Sequence, residues 1–356
     1  MSKKAGVNDC AAAARAANRK RVILASGFIT IILVSVLNTR SLRRKLLGWY
    51  AGHARKLPWR ATTDPYAIWV SEIMLQQTRA AVVVPYFERF LARFPDVKAL
   101  ARAGEEEVLA AWSGLGYYGR ARNLQRAAKL IATRGRFPSD YDTIRELPGV
   151  GEYTAAAVAS IAFGLPHAAV DGNVVRVLSR PTCSSQKLED VAARLLDRRN
   201  PGTHNQSLME LGAMICLPAE PKCGMCPVAG LCEAKRQVRV KEFPAKRRRQ
   251  APVRVAKTVL VVEKRGKLLL RKRNGFWELP ESGDLPAAVE GRELGRFRHS
   301  IMHRNYIFTV LSAQVPSAPD GFRWVGRKEL EAMPLATVAR KALRLGNMGH
   351  RLAVNS

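Results

Sequence analysis

Four cysteines crowded into a short segment constrain this chain more than any other feature of its sequence. They are Cys216, Cys223, Cys226 and Cys232, among six cysteines in 356 residues. Thiolates this close in sequence can ligate one compact metal centre, whereas a secreted disulfide scaffold would be shorter and more evenly stapled. Zinc is one candidate metal, although zinc ribbons usually use two separate Cys-x2-Cys pairs and this segment has one. The segment 216–232 therefore indicates a metal site in a reducing compartment.

The charge balance narrows the class of binding partner. Lysine and arginine number 59 against 29 aspartate and glutamate residues, a formal net charge of +30. This excess repels itself unless a polyanion lies nearby, and neutralising phosphates releases counterions. A nucleic acid is therefore the leading partner, although a generally basic protein would show the same balance. The hydrophobic fraction of 47% is ordinary for a globular protein, so a core can form.

Residues 1–40 form an atypical basic and apolar extension. Arg21 precedes an uncharged, mostly apolar run at 22–37, which is shorter than the ~20 residues needed to span a bilayer. It resembles a signal-peptide core, but no small-x-small cleavage site follows it. A membrane anchor, an extra helix, and upstream sequence outside the working protein all remain open. We favour the last two, because the rest of the chain is typical of an intracellular protein. We expect no membrane partner, and we expect a monomer in the cytoplasm that associates with the nucleoid.

A helical pattern covers 41–240. Asp64 before Pro65 predicts a helix start, with the aspartate as N-cap and the proline in the first turn. An alanine-rich helix is predicted at 153–163, and Gly164 closes it. Mainly α structure is expected for this domain.

A second, smaller domain is predicted at 256–345. A basic linker at 241–255 precedes it, with a Lys-Arg-Arg-Arg run between two prolines. Beyond the linker, strands are predicted at 258–263 and 267–271, around an Arg-Gly turn, and at 306–311. This domain is therefore α+β.

The segment Leu-Pro-Gly-Val-Gly at 147–151 precedes the alanine-rich helix. Gly149 and Gly151 allow a tight turn that brings free backbone N–H groups close to a ligand. Such amides beside a helix N-terminus suit a phosphate oxygen. An ordinary helix–helix turn is the alternative interpretation.

Glu72 and Asp171 are candidate catalytic groups in opposite environments. Glu72 lies in a largely apolar run at 68–75, where burial would raise the pKa of its carboxyl group. Asp171 precedes a glycine and an apolar helix, so it is an N-cap candidate that the helix amides would keep ionised. Two carboxyl groups in opposite protonation states are what glycoside cleavage needs. The pattern alone also allows an exposed Glu72 and a purely capping Asp171.

With these motifs together, the chain from about residue 45 to 240 resembles the MutY-type adenine DNA glycosylases, which are endonuclease III-like members of the helix-hairpin-helix superfamily. The matching segments are 57–60, 71–78, 114–118, 147–154, 170–174 and the cysteines with their 6-2-5 spacing. The resemblance implies a two-lobed helical glycosylase domain whose four cysteines bind a 4Fe-4S cluster. It also implies a base-excision-repair enzyme that hydrolyses the N-glycosidic bond of adenine. Its partner would be double-stranded DNA with A:8-oxoguanine or A:G mispairs.

The resemblance assigns roles to the catalytic residues. Glu72 would protonate N7 of the flipped adenine and later help to activate water. Asp171 would stabilise the oxocarbenium-like sugar, with a covalent intermediate as one route. Tyr153 and Asn173 would line the pocket and orient the two carboxyl groups. Related bifunctional enzymes carry a Schiff-base lysine at the position of Tyr153, so a monofunctional enzyme that leaves an abasic site is expected.

It also assigns DNA contacts. Gln77 and Tyr117 would wedge into the base stack where adenine leaves. Trp59 and Arg60 would hold the extruded adenine, and the hairpin glycines would grip the backbone. Trp59 and Tyr117 can alternatively be plain core aromatics.

The C-terminal domain resembles the Nudix-related module that reads 8-oxoguanine opposite the adenine. Segments 276–280 and 297–303 carry the match, and His303 occupies the position of the lesion-reading histidine. Met302 stands where a serine or threonine is expected, so one hydroxyl donor is lost. The acidic catalytic helix of Nudix hydrolases is absent from the sequence, and the loop at 281–294 is short.

Three functions other than adenine excision are possible for these motifs. An endonuclease III-like glycosylase for oxidised pyrimidines is disfavoured by Tyr153 and by the C-terminal domain. A non-catalytic DNA-binding protein would have no need of both Glu72 and Asp171. A Nudix hydrolase with a DNA-binding extension lacks its acidic helix.

Overall fold

The computed structural model describes residues 38–245, 253–285, 288–301 and 304–345. The apolar run at 22–37, the basic run of the linker, Met302 and His303 lie outside these ranges. In the ranges that are described, no helix is both long and apolar enough to cross a bilayer.

Helices make up most of the first two thirds of the chain. In chain order they are α1 (Thr39–His53), α2 (Pro65–Leu75), α3 (Ala80–Arg93), α4 (Val97–Arg102), α5 (Glu105–Trp112), α6 (Gly119–Arg134), α7 (Tyr141–Arg145), α8 (Glu152–Phe163), α9 (Gly172–Thr182), α10 (Leu188–Leu195), α11 (Pro201–Met214) and α12 (Glu233–Arg236). Short 3-10 turns lie at Pro58–Arg60, Cys223–Met225, Ala229–Leu231 and Val240–Glu242.

Strands and two further helices follow. They are β1 (Val253–Lys264), β2 (Lys267–Arg273), β3 (Phe276–Glu278), β4 (Val289–Ile301), β5 (Arg304–Gln314), β6 (Phe322–Gly326), α13 (Arg327–Ala332) and α14 (Thr337–Leu345). A last 3-10 turn lies at Ser282–Asp284.

The described residues divide into two compact units, the first of which comprises 38–72 and 138–245. Helix α11 runs through it and packs against α1, α8 and α9. Small residues allow this packing: a Cβ on Gly202 would lie 2.7 Å from the carbonyl oxygen of Ser160. The core beside α11 contains Leu46, Val177 and Leu208, all almost fully buried. This unit carries Glu72 at one end and Asp171 at the start of α9.

The second unit comprises 73–137 and the described residues between 253 and 345. Its helical part is built around Phe90, Phe94 and Trp112, whose rings pack edge to face and are almost fully buried. Its sheet has the strand order β3-β2-β1-β5-β4, and β6 also pairs with β2. Strands β1 and β5 run parallel, and the other pairs are antiparallel.

Local signals predicted several boundaries correctly. Helix α2 begins at Pro65, and the Asp64 carboxylate accepts hydrogen bonds from the N–H groups of Tyr66 and Ala67. Helix α8 ends at Phe163, where Gly164 adopts φ 65°. The turn between β1 and β2 is the predicted Arg265-Gly266 pair, with φ 50° and 71°.

Two segments are more ordered than the sequence suggested. Strand β1 begins at Val253, inside the expected linker, because its first residues pair with β5. The first residues of that linker are also held, since Arg180 Nε donates to the Phe243 carbonyl oxygen at 3.1 Å. Strand β4 begins at Val289, so the loop expected at 281–294 is shorter still.

Candidate active site

Glu72 is buried in the interior of the first unit. It lies in the last turns of α2, is 5% exposed, and accepts a hydrogen bond from the Tyr153 hydroxyl at 2.8 Å. Burial raises the pKa of Glu72 to about 7; the Asp171 charge adds to this, while the Tyr153 hydrogen bond and the Arg60 charge oppose it. The raised pKa expected from the apolar run is confirmed. Near neutral pH this carboxyl group can therefore either give or take a proton.

Tyr153 is held as a neutral donor beside Glu72. Burial raises the pKa of its phenol well above 10, and the nearby charges of Glu72 and Asp171 raise it further. The hydroxyl therefore keeps its proton and points it at Glu72. Because the hydrogen bond favours the ionised carboxylate, Tyr153 moderates the effect of burial on Glu72.

Asp171 caps α9, as its sequence context predicted. Its Oδ1 accepts from the Val174 N–H and its Oδ2 from Asn173 Nδ2, both at 2.7 Å. Its charge reaches Glu72, since it raises the pKa of that group. The structure thus places a carboxylate with two donors near a carboxyl group poised to be protonated.

Asn173 is fixed from two sides. Its Oδ1 accepts from Arg176 Nη2 at 2.8 Å, and Arg176 Nε donates to the Cys216 carbonyl oxygen at 2.6 Å. Gly212 of α11 packs directly against it, where a Cβ would lie 2.6 Å from the Asn173 Cβ. A continuous set of hydrogen bonds therefore joins Asp171 to the first cysteine of the 216–232 segment.

A buried ion-pair cluster lies in the same unit, and its central residue was missed from the sequence. Glu210 is fully buried and accepts from Arg55 Nη2 at 2.6 Å and Arg60 Nη2 at 2.9 Å. Burial would raise the pKa of Glu210, but the hydrogen bonds from both arginines outweigh it and hold it at about 2. The available signal was the one used for Glu72, an acidic residue in an apolar run.

Trp59 and Arg60 lie together on the 3-10 turn before α2. Trp59 is 7% exposed, which agrees with the alternative of a core aromatic. Arg60 is oriented by Glu210 and stacks over the Tyr50 ring at 5.4 Å. Its charge reaches Glu72, whose pKa it lowers.

The hairpin forms between α7 and α8 as predicted. Gly149 has φ 80°, the left-handed conformation that favours glycine. Gly151 is the N-cap of α8 in an extended conformation, and both glycines are exposed. The first amides of α8 thus begin at an exposed turn.

Gln77 and Tyr117 belong to the second unit and share an unusual conformation. Both are non-glycine residues with positive φ, 58° and 49°. Both side chains are exposed, and that of Tyr117 is 54% exposed. Tyr117 is thus not a core aromatic.

The four cysteines line one cavity in the first unit. Arg180, 1% exposed, donates from Nη1 to Cys216 Sγ at 3.0 Å. Burial raises the pKa of Cys226 to about 11, and the three other thiols add to the shift. Among the described residues, no three or more histidine, cysteine, aspartate or glutamate side chains are arranged to hold a single ion.

Comparisons with known proteins identify the family of this chain. The family model of HhH-GPD superfamily base excision DNA repair proteins matches residues 70–200. The adenine DNA glycosylase of Homo sapiens is 33% identical, over 87% of this chain and 74% of the human protein. The chain belongs to the adenine DNA glycosylases. It is therefore a DNA glycosylase of base excision repair, and the expected family and activity are confirmed.

A bacterial adenine DNA glycosylase and two solved structures match smaller parts of the chain. That of Buchnera aphidicola subsp. Baizongia pistaciae (strain Bp) is 36% identical, over 65% of this chain and 70% of its own length. Among solved structures, a thermostable thymine-DNA glycosylase has a TM-score of 0.53 and 31% identity, over 56% of this chain and 97% of that one. An endonuclease III–DNA complex, with a TM-score of 0.50 and 24% identity over 57% of this chain and 98% of that one, shares the fold. The mainly α glycosylase fold with an α+β C-terminal domain is thus confirmed.

Proposed function

We propose that this adenine DNA glycosylase hydrolyses the N-glycosidic bond of adenine mispaired with 8-oxoguanine or guanine and leaves an abasic site. One observation carries the proposal: Glu72 is buried with a pKa of about 7 and lies within the electrostatic reach of Asp171. Glycoside cleavage needs such a pair, one group that supplies a proton and one that stays ionised.

In this mechanism Glu72 gives its proton to N7 of the extruded adenine. The glycosidic bond then breaks, its electron pair leaves with the base, and positive charge develops on the sugar. The Asp171 carboxylate, held by Asn173 and the Val174 N–H, stabilises that charge. The Glu72 carboxylate then takes a proton from the water that attacks C1′, which restores its acid form.

Tyr153 supports a monofunctional reaction. Its phenol cannot form the Schiff base that lyase chemistry requires. Its position as a neutral donor to Glu72 gives it a different task, which is to set the pKa of the general acid. The proposed product is therefore an abasic site in an unbroken strand.

The DNA contacts follow the exposed features of each unit. The amides after Gly149 and Gly151 would bind a backbone phosphate. The exposed side chains of Gln77 and Tyr117 would enter the base stack, since extrusion of a base must be offset by such contacts. Arg60, with Trp59 beside it, would hold the extruded adenine.

A 4Fe-4S cluster fits the four cysteines. Several buried thiols near one another are unfavourable as free thiolates, and a cationic metal centre offsets this. Each cysteine of such a cluster binds a different iron, so the ligands need not converge on one point. The cluster would supply a structural staple for the loop 216–232, where the exposed Lys222 could reach phosphate.

Further proposals concern the C-terminal domain, the oligomeric state and the location of the protein in the cell. We propose that the Nudix-like domain reads 8-oxoguanine through His303, with weakened discrimination because Met302 lacks a hydroxyl. We also propose a monomer that acts at the nucleoid in the cytoplasm.

A single-turnover assay with the full chain tests the proposed function. The substrates are duplexes with adenine opposite 8-oxoguanine, guanine or thymine, and a duplex with an oxidised pyrimidine serves as control. We expect strand breaks at adenine only after alkali, abolished in Glu72→Gln and strongly reduced in Asp171→Asn. Breaks without alkali, or excision of the oxidised pyrimidine instead, would contradict the proposal.

A further inference from the structure

Arg120 of α6 joins two separate segments of the second unit. Its Nη1 donates to the carbonyl oxygens of Ile73 at 3.0 Å, Met74 at 2.9 Å and Gln76 at 2.6 Å. The carbonyls of Ile73 and Met74 lie in the last turn of α2, and that of Gln76 follows the helix directly before Gln77. One nitrogen of the guanidinium thus closes the C-terminus of α2.

The other terminal nitrogen reaches the Tyr117 loop. Arg120 Nη2 donates to the carbonyl oxygens of Leu115 at 3.3 Å and Gly116 at 3.2 Å. It also lies 3.3 Å from Thr78 Oγ1, on the far side of Gln77. A single guanidinium therefore binds the backbone before Gln77, the Thr78 side chain after it, and the backbone directly before Tyr117.

Both loops need such support because their backbones are strained. A non-glycine residue in the left-handed region is strained, because its Cβ lies too close to the following carbonyl oxygen. Gln77 and Tyr117 both have this strained backbone conformation, and their side chains are exposed. Strain at exposed positions persists only where the surroundings determine the backbone. Arg120, which is half-buried, contacts both loops.

The guanidinium itself is fixed. It lies over the rings of Trp112 and Tyr117, each at 5.4 Å. Burial lowers the pKa of Arg120 to about 10, so it remains charged at neutral pH. Lysine would keep the charge, but a single ammonium cannot bond two loops in a planar fork.

We propose that Arg120 is a positioning residue for base extrusion, which locks the loops of Gln77 and Tyr117 into one rigid wedge that enters the DNA base stack. The inference rests on the proposed wedge role of these two residues. In this proposal Arg120 acts through the two loops and not on the reacting atoms. Its loss should therefore slow extrusion and leave the chemistry of an already extruded adenine unchanged.

The experiment compares wild type, Arg120→Lys and Arg120→Gln with Arg126→Gln as matched control. Arg126 lies on the same helix, is exposed, and its side chain donates to Asn123 Oδ1. Extrusion is read as the fluorescence rise of 2-aminopurine placed at the target position opposite 8-oxoguanine. Excision is read in single turnover on two duplexes, one with adenine opposite 8-oxoguanine and one with adenine in an unpaired bulge.

We expect both Arg120 variants to lose most of the fluorescence rise and to excise paired adenine roughly 10- to 100-fold more slowly, as a small misplacement does elsewhere. Excision from the bulge should stay within about threefold of wild type, because less wedging is needed there. Adding Gln77→Ala to Arg120→Lys should cost little more than either change alone, since the two act as one unit. Arg126→Gln should behave as wild type.

Three results would overturn the proposal. They are full extrusion in both Arg120 variants, equal slowing on paired and bulged adenine, and failure of both variants to fold, which would make Arg120 a general stabiliser. The proposed function fails separately: wild type would then excise adenine from neither duplex.

Discussion

Among single residues, Glu72 is the one whose burial makes it reactive near neutral pH while lowering the stability of the folded protein. Its pKa is raised by burial, so the folded protein binds a proton more tightly than the unfolded chain does. This group therefore favours folding least at high pH: its unfavourable contribution is absent below pH about 4.5 and complete above about 7. A proton donor near neutral pH is thus obtained at the expense of stability.

Replacing the buried Glu72 carboxyl group with a neutral amide should stabilise the fold at high pH. Glu72→Gln should raise the free energy of unfolding by up to roughly 3 kcal/mol at pH 8, the equivalent of moving a pKa from 4.5 to about 7. The gain should fade as pH falls toward 4.5, where wild-type Glu72 is protonated in both states. Denaturant titrations of both proteins at pH 5 and pH 8 measure this. A difference between the two proteins that is the same at both pH values would show that Glu72 is not buried as described.

Tyr153 gives a second prediction at the same scale. The hydrogen bond from its hydroxyl lowers the pKa of Glu72, so Tyr153→Phe should raise that pKa further. A hydrogen bond to a charged group is worth about 1.5–3 kcal/mol, so the loss of activity at high pH should move upward by about one to two pH units. Single-turnover rates across pH 5–9 check the shift. An unmoved alkaline limb would mean that Tyr153 does not set the protonation of Glu72.

At the scale of the element, the close approach of α11 to α9 holds the Asp171 site together. Gly212 permits this approach, because no side chain fits between its Cα and Asn173. Gly212→Ala should destabilise the fold by about 1–3 kcal/mol through overpacking and slow excision by displacing Asn173 from Asp171. Thermal unfolding and single-turnover excision measure the two effects.

Gly48→Ala is the matched control for that change. Gly48 also lies inside a helix, α1, but a Cβ there would meet nothing within 4 Å. It should leave excision unchanged and stabilise the helix by roughly 0.5–1 kcal/mol. If both alanine variants behave alike, the contact between Gly212 and Asn173 has no special role.

Elements fixed by local signals were the predictable ones. Asp64 and Asp171 predict where their helices begin, because the side chain of an N-cap residue accepts hydrogen bonds from amides two or three residues away. The parallel pairing of β1 with β5 could not be read from the sequence, since the partners lie about fifty residues apart and nothing local specifies it. This is why β1 extends into the expected linker.

The site divides in the same way. Burial of Glu72 could be predicted from its apolar neighbours, and the capping of Asp171 from the glycine that follows. Glu210 was missed because its importance depends on Arg55 and Arg60, which are distant in sequence and meet it only in the folded unit. Arg120 was likewise invisible, since a basic residue on a basic helix usually faces solvent.

At the scale of the whole molecule, the net charge of +30 governs binding to DNA. Each phosphate that the protein neutralises releases counterions, so the logarithm of the binding constant should fall linearly with the logarithm of salt concentration. With six or more phosphates contacted, affinity should fall roughly 10³-fold between about 50 and 200 mM salt. Fluorescence anisotropy with Glu72→Gln on uncleaved duplex measures the slope. A flat dependence would mean that the excess charge does not face DNA.

The proposed chemistry depends on the protonation of the Glu72 carboxyl group, and infrared difference spectroscopy observes that protonation directly. Spectra of wild type minus Glu72→Gln, recorded from pH 4 to 9, isolate the C=O stretch of protonated Glu72. The account predicts that this band disappears with a midpoint near pH 7, because burial raises the pKa of Glu72 to about 7. A midpoint near 4.5, the ordinary value for a solvated glutamate, would contradict it.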